Sequence, residues 1–168
     1  MIIDVSGILK EFGGKIEING EVKLSDTEFM GETYSFDTPI SVKGDITNNG
    51  KSLILAVECS GKMGTQCARC MKDITVDIDF PVEEHLVRSD GEFSEDEDII
   101  VFDGHTVELD GIIADNLIMN IEGRYLCKDD CKGLCPVCGQ DLNEGDCDCN
   151  REVIDPRWQG LADLMNSK

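Results

Sequence analysis

The chain has 168 residues, 40% of them hydrophobic, which suits one core-bearing domain with at most a small appendage. Its formal charge is −20, a field that repels phosphate backbones and attracts basic proteins. One Trp, two Tyr and six Phe supply few platforms for stacking single-stranded bases. The charge is uneven: residues 67–126 hold 16 acids against 4 bases, whereas the segments before and after each carry a net −4.

Met1–Ser6 has no basic start, no long apolar stretch and no small-residue cleavage site, so no secretory leader is expected. The longest apolar run, Leu53–Val57, is too short to cross a membrane. A cytoplasmic location follows as the expectation. There thiols stay reduced, and the nine cysteines read as metal ligands or redox groups, not as a disulfide framework.

The first 66 residues carry strand patterns. Ile16, Ile18, Val22 and Leu24 alternate, then Tyr34 and Phe36, then Ile40 and Val42. Asn48-Asn49-Gly50 is a turn signal. Ser52–Cys59 is aliphatic enough for a central strand, with Cys59 a buried structural thiol, and a bend is expected at Ser60-Gly61. Ile74, Val76, Ile78 and Phe80 alternate with Asp73, Thr75, Asp77 and Asp79, which predicts a strand with one acidic face. Val82–Val87 continues it beyond Pro81. Gly91–Asp98 is a charged loop, and Ile99–Phe102 a short strand. A helix is predicted over about 110–123, with Asp110 as its cap, Ile113, Leu117 and Met119–Ile121 as its apolar stripe, and Gly123 at its end. A last short helix is expected from Asp155-Pro156, with Trp158, Leu161, Leu164 and Met165 on one face.

Cys127–Cys149 packs six cysteines into 23 residues, and Cys67-Ala68-Arg69-Cys70 adds a pair upstream. A C-x2-C turn lets two sulfurs reach one ion, and four thiolates suit tetrahedral zinc. Short loops favour Cys135, Cys138, Cys147 and Cys149 as one site, leaving Cys67, Cys70, Cys127 and Cys131 for the other. The alternative joins the two C-x2-C turns as a zinc ribbon and leaves the remaining four for a second site. Two zinc ions are preferred to one. Thiol–disulfide exchange uses C-x2-C in a thioredoxin-like setting that is not apparent here. The C-x3-C-x3-C run misses the radical-enzyme iron–sulfur spacing by one residue. His85 and His105 stand outside any ligand spacing. No nucleophile elbow, phosphate loop or dinucleotide glycine pattern is present, so nothing argues for an enzyme or a small-molecule substrate.

Cys67-Ala68-Arg69-Cys70, then Cys131-Lys132-Gly133-Leu134-Cys135-Pro136-Val137-Cys138-Gly139 with Asp141-Leu142-Asn143, Cys147-Asp148-Cys149 and Asp155-Pro156-Arg157, resembles the YceD-like family. These are the large ribosomal RNA subunit accumulation proteins. The match covers roughly residues 50–165. It departs from the family pattern at Ile121–Leu126, where a proline precedes the first cysteine of that segment in the family. The resemblance implies a non-enzymatic role in accumulation or processing of large-subunit ribosomal RNA. It also implies that the first C-x2-C keeps company with Cys127 and Cys131, since family members without the later cysteines retain those two pairs.

The expected fold is α+β: a mainly antiparallel β-sheet or partly closed barrel with one long helix and a C-terminal cysteine-rich zinc module. The expected domains are a β-rich one at 1–126 and a zinc-binding module at 127–168 packed on it. The expected function is ribosome biogenesis, with an acidic surface for a basic ribosomal protein or a preribosomal large-subunit particle. Direct binding of naked RNA is disfavoured by the charge. A zinc-ribbon nucleic-acid-binding regulator is the alternative, drawing on Arg69, Lys72, Lys128, Lys132, Arg151 and Arg157. A thiol–disulfide oxidoreductase is the third reading.

Overall fold

The computed structural model describes residues 1–91 and 99–150. The charged loop beyond Gly91 and the helix expected from Asp155 lie outside those residues. The chain divides into two compact units, one of Met1–Gln66 with Asp73–Tyr125, the other of Cys67–Lys72 with the segment from Leu126 onward.

In the first unit the strands are β1 (Ile2–Asp4), β2 (Lys15–Val22), β3 (Thr27–Phe29), β4 (Glu32–Tyr34), β5 (Ile40–Asn48), β6 (Leu53–Gln66), β7 (Asp73–Arg88), β8 (Ile100–Phe102) and β9 (Thr106–Glu108), followed by helix α1 (Leu109–Asn120). Five of them form a sheet ordered β2-β5-β6-β7-β8. Its pairs are antiparallel except β7 with β8, which is parallel over Leu86–Arg88. The sheet is open. Its outer strands β2 and β8 do not pair with each other, so the partly closed barrel is not the fold. Two small ribbons, β1 with β9 and β3 with β4, were not legible as pairs in the sequence.

Alternation explains the central strands. Leu53, Leu55, Val57, Cys59 and Met63 of β6 face the interior, as do Ile40, Val42 and Ile46 of β5. Cys59 is buried opposite Val42 and Phe80, and burial pushes its thiol up to about 11. The bend expected at Ser60-Gly61 is absent, and β6 runs straight through to Gln66. Gly61 serves close packing instead, because a Cβ there would strike the Ile40 side chain. Gly44 is needed for the same reason: its Cβ would run into the backbone of Ala56 and Val57. The turn after β5 is held by Asn48, buried and fully bonded. Its amide donates to Ile8 O at 2.6 Å, and its carbonyl accepts from Gly50 N at 2.7 Å.

Helix α1 puts Leu109, Ile112, Ile113 and Leu117 into the core. It differs from expectation at both ends. Glu108 is the N-cap, with Asp110 inside the first turn, and the helix stops at Asn120 before Gly123. Met119 is 84% exposed, so the apolar stripe is narrower than the sequence implied. Asn116 Nδ2 donates to Glu84 Oε1 at 2.7 Å, linking α1 to β7.

No helix among the described residues is long and apolar enough to cross a membrane.

Candidate metal centres

The second unit is built on two turns of the same design. In the first, Cys67 N donates to Lys72 O at 2.9 Å and Met71 N to Cys67 O at 2.9 Å. In the second, Cys135 N donates to Gln140 O and Gly139 N to Cys135 O, both at 2.8 Å. Each turn reverses at the residue after its second cysteine, where the backbone is left-handed: φ is 58° at Met71 and 74° at Gly139. This conformation leaves both sulfurs of a turn on one side and points backbone N–H groups at them. Val137 N lies 3.4 Å from Cys135 Sγ.

The eight cysteines meet in two quartets. Cys67, Cys70, Cys127 and Cys131 form one, Cys135, Cys138, Cys147 and Cys149 the other, and within each the sulfurs lie within 4.8 Å of one another. The two C-x2-C turns fall in different quartets, so the ribbon arrangement that would join them is not found. His85 and His105 belong to neither; His85 instead lies beside Ser52, with Nδ1 3.2 Å from its hydroxyl.

The spacing within the first quartet is informative. Cys67 Sγ and Cys131 Sγ are 3.8 Å apart, and Cys70 Sγ and Cys127 Sγ 3.6 Å. A disulfide requires about 2.05 Å. Tetrahedral zinc with Zn–S near 2.3 Å requires edges of about 3.8 Å. All nine cysteines are free thiols. Four soft donors with no oxygen or nitrogen among them fit zinc and leave no open position for a substrate.

The electrostatics of the quartets favour a cation at their centres. Burial pushes the Cys67 thiol up, but the backbone N–H groups of Cys127, Arg69 and Cys70 outweigh it and bring it to about 6. The N–H groups of Cys138 and Val137 bring Cys135 to about 6. Desolvation and the neighbouring Cys131 and Cys70 sulfurs drive Cys127 up to about 12, and the Cys138 sulfur with desolvation does the same to Cys149. Each quartet thus contains a sulfur that ionises readily and another that resists while no positive charge stands between them.

Residues that the sequence marked only as motif members or as candidate nucleic-acid bases hold the first quartet in shape. Arg69 Nη1 donates to Cys131 O at 2.8 Å, and Asn143 Nδ2 approaches Cys131 Sγ at 3.4 Å. Lys132 N donates to Asn143 Oδ1 at 3.0 Å. Lys72 Nζ pairs with Asp141 Oδ2 at 2.8 Å and Glu144 Oε1 at 2.9 Å. Gly133, at φ 74°, packs directly on the first turn: a Cβ there would lie 2.9 Å from Arg69 O. Leu134 N donates to that same oxygen at 3.1 Å, and Leu142 N to Gly133 O at 2.9 Å. The signal for these residues was the Gly133 and Asp141-Leu142-Asn143 motif. Its residues bond across a chain separation that no local pattern encodes.

The fold and site define a small mixed-sheet protein with two all-cysteine clusters able to hold metal. The chain belongs to the family of the large ribosomal RNA subunit accumulation protein YceD, whose model matches residues 55–165. That span contains both quartets and the motif residues that brace them. A chloroplastic YCED homolog 1 from Arabidopsis thaliana, named a large ribosomal RNA subunit accumulation protein, is 29% identical over 160 residues, 78% of this chain and 50% of that protein. Uncharacterized proteins of Mycobacterium tuberculosis and Mycobacterium bovis are 28% identical over 103 residues, 60% of this chain and 49% of theirs. The chain therefore spans about half the length of the curated relatives it matches. No solved structure matches it.

Proposed function

We propose that this protein is a non-enzymatic factor in the accumulation of large-subunit ribosomal RNA, acting in the cytoplasm on a basic ribosomal protein or a preribosomal particle. The observation that carries this reading is the family match across residues 55–165. Its acidity supports a basic partner, since a −20 chain attracts cationic surfaces and repels naked RNA. In this reading the two quartets, Cys67, Cys70, Cys127, Cys131 and Cys135, Cys138, Cys147, Cys149, each hold one structural zinc. The ion supplies a rigid cross-link and no chemistry, because four thiolates fill its coordination.

Three of the four described basic side chains that a nucleic-acid regulator would need, all but Lys132, have partners. Arg69 is spent on Cys131 O, Lys72 on Asp141 and Glu144, and Lys128 lies 3.8 Å from Asp130. Arg151 and Arg157 lie outside the described residues. An oxidoreductase is disfavoured by sulfurs gathered as quartets, not as isolated pairs at bonding distance. Depletion of the protein in a cell that carries it is expected to lower large-subunit particles and raise precursor ribosomal RNA. Unchanged levels of both overturn the proposal.

A further inference from the structure

Strand β7 is paired on only part of one side. Its register with β6 runs from Asp73 to Leu86, but its register with β8 covers only Leu86, Val87 and Arg88. From Asp73 to His85 the opposite edge meets no strand among the described residues. Pro81 sits within this stretch, as tolerated where no neighbour needs its missing N–H. A long free edge presents a row of backbone donors and acceptors, and natural sheets guard such edges with charge.

The guard here has one sign. Asp73, Asp77 and Asp79 are exposed and alternate with Ile74, Val76 and Ile78, each half-buried. On the β6 side of its Asp73 end, away from the free edge, a groove of about 490 Å³ continues the same acidic surface. Glu32, Asp37 and Asp73 line that groove with the hydroxyl residues Ser35, Thr65 and Thr75, and no lysine or arginine does. A second copy of the chain is a poor occupant, because β7 laid against β7 would oppose two aspartate rows. An extended segment that alternates basic and apolar residues fits. Its backbone would complete the ladder, its cations would meet the aspartates, and its apolar side chains would cover Ile74, Val76 and Ile78.

We propose that the free edge of β7 between Asp73 and Phe80, short of Pro81, is a β-augmentation site for an extended, lysine- or arginine-rich protein segment. This deepens the reading of a basic ribosomal partner and rests on it for biological meaning, but the edge can be tested without it. The probe is a synthetic ten-residue peptide alternating Lys and Val, titrated onto the full chain by fluorescence anisotropy at moderate salt. Backbone amide exchange is followed in parallel. The alternating peptide is expected to protect β7 amides. Methylating its alternate backbone nitrogens should weaken binding about tenfold or more, since several ladder bonds are lost. Asp77→Asn with Asp79→Asn should weaken it about fivefold. Glu17→Gln with Glu21→Gln on β2 removes the same charge elsewhere and should leave it unchanged.

Equal binding by the methylated peptide, or an equal loss from the β2 variant, would reduce the interaction to general charge attraction and overturn the site. Absence of binding, or self-association of the free chain through β7, also overturns it. Normal ribosomal particles after depletion would instead defeat the proposed function and leave these binding results standing.

Discussion

Met71 occupies in the Cys67–Cys70 turn the place that Gly139 occupies in the Cys135–Cys138 turn. Both follow the second cysteine, both donate to the carbonyl of the first, and both are left-handed. Only one is the residue suited to that conformation. Met71 is 63% exposed, so its side chain has little packing to lose. Met71→Gly is therefore expected to stabilise the second unit by about 1 kcal/mol, measured by denaturant unfolding.

The reverse change distinguishes conformational strain from steric overlap. Gly139→Ala meets nothing within 4 Å of its new Cβ and should cost only the left-handed penalty, about 1 kcal/mol. Gly133→Ala carries the same penalty and also drives a methyl toward Arg69 O. It should cost visibly more than Gly139→Ala in the same unfolding assay.

If each quartet holds one metal ion, Cys67→Ser and Cys147→Ser should each lose one ion, and a different one. Native mass spectrometry on both variants and their combination reads this directly: loss of the same ion from both would refute the assignment. The second quartet exposes Cys138 and half-exposes Cys147 and Cys149, whereas three of the first quartet are buried. A chelator should therefore strip the second quartet first.

Asn143 touches Cys131 sulfur and the Lys132 backbone, and so would act on a metal in the first quartet only through Cys131. Asn143→Ala should lower metal affinity at the first quartet about 10–100-fold and leave the second unchanged. Competition with a chromogenic chelator, resolved by the two stoichiometric steps, separates them.

The Lys72 ammonium and the Asn143 backbone N–H hold the Asp141 carboxyl down at about 2. Its folded value lies below the ordinary 3.8, so its contribution is fully present above that value and is lost as pH falls through about 2. Lys72 is shifted the other way, upward, by Asp141 and then Glu144. Its contribution is present below its ordinary 10.5 and fades as pH rises beyond it. Asp141→Asn should flatten stability between about pH 4 and pH 2, followed by circular dichroism.

What the sequence disclosed divides along the range of the interaction. Period-two alternation is written residue by residue, so β2, β5, β6 and β7 were visible, as was the turn at Asn48-Asn49-Gly50. Gly61 was misread because a glycine inside a strand signals either a bend or a close approach, and only Ile40 decides which. The short β1 and β9 find each other across the chain, and β3 and β4 form a local hairpin of three-residue strands in which the sequence marked only Tyr34. Helix α1 was found, but its ends were not, since Glu108 caps it without a side-chain bond and Gly123 ends nothing. At the site, the cysteine spacing was legible. The bonds of Arg69, Lys72, Gly133 and Asn143 across it were not.

The second unit takes its first cysteine pair from the middle of the chain and the other six from much later. Cys70 and Cys127 are 57 residues apart. A ribosome adding ~5–20 residues per second delivers the first pair roughly 3–11 s before its partners. Through that interval Cys67 and Cys70 form a two-sulfur site, too few to close a tetrahedron. If the first quartet holds an ion, its stable capture waits on synthesis reaching Cys131, so occupancy there would report that translation has passed that residue.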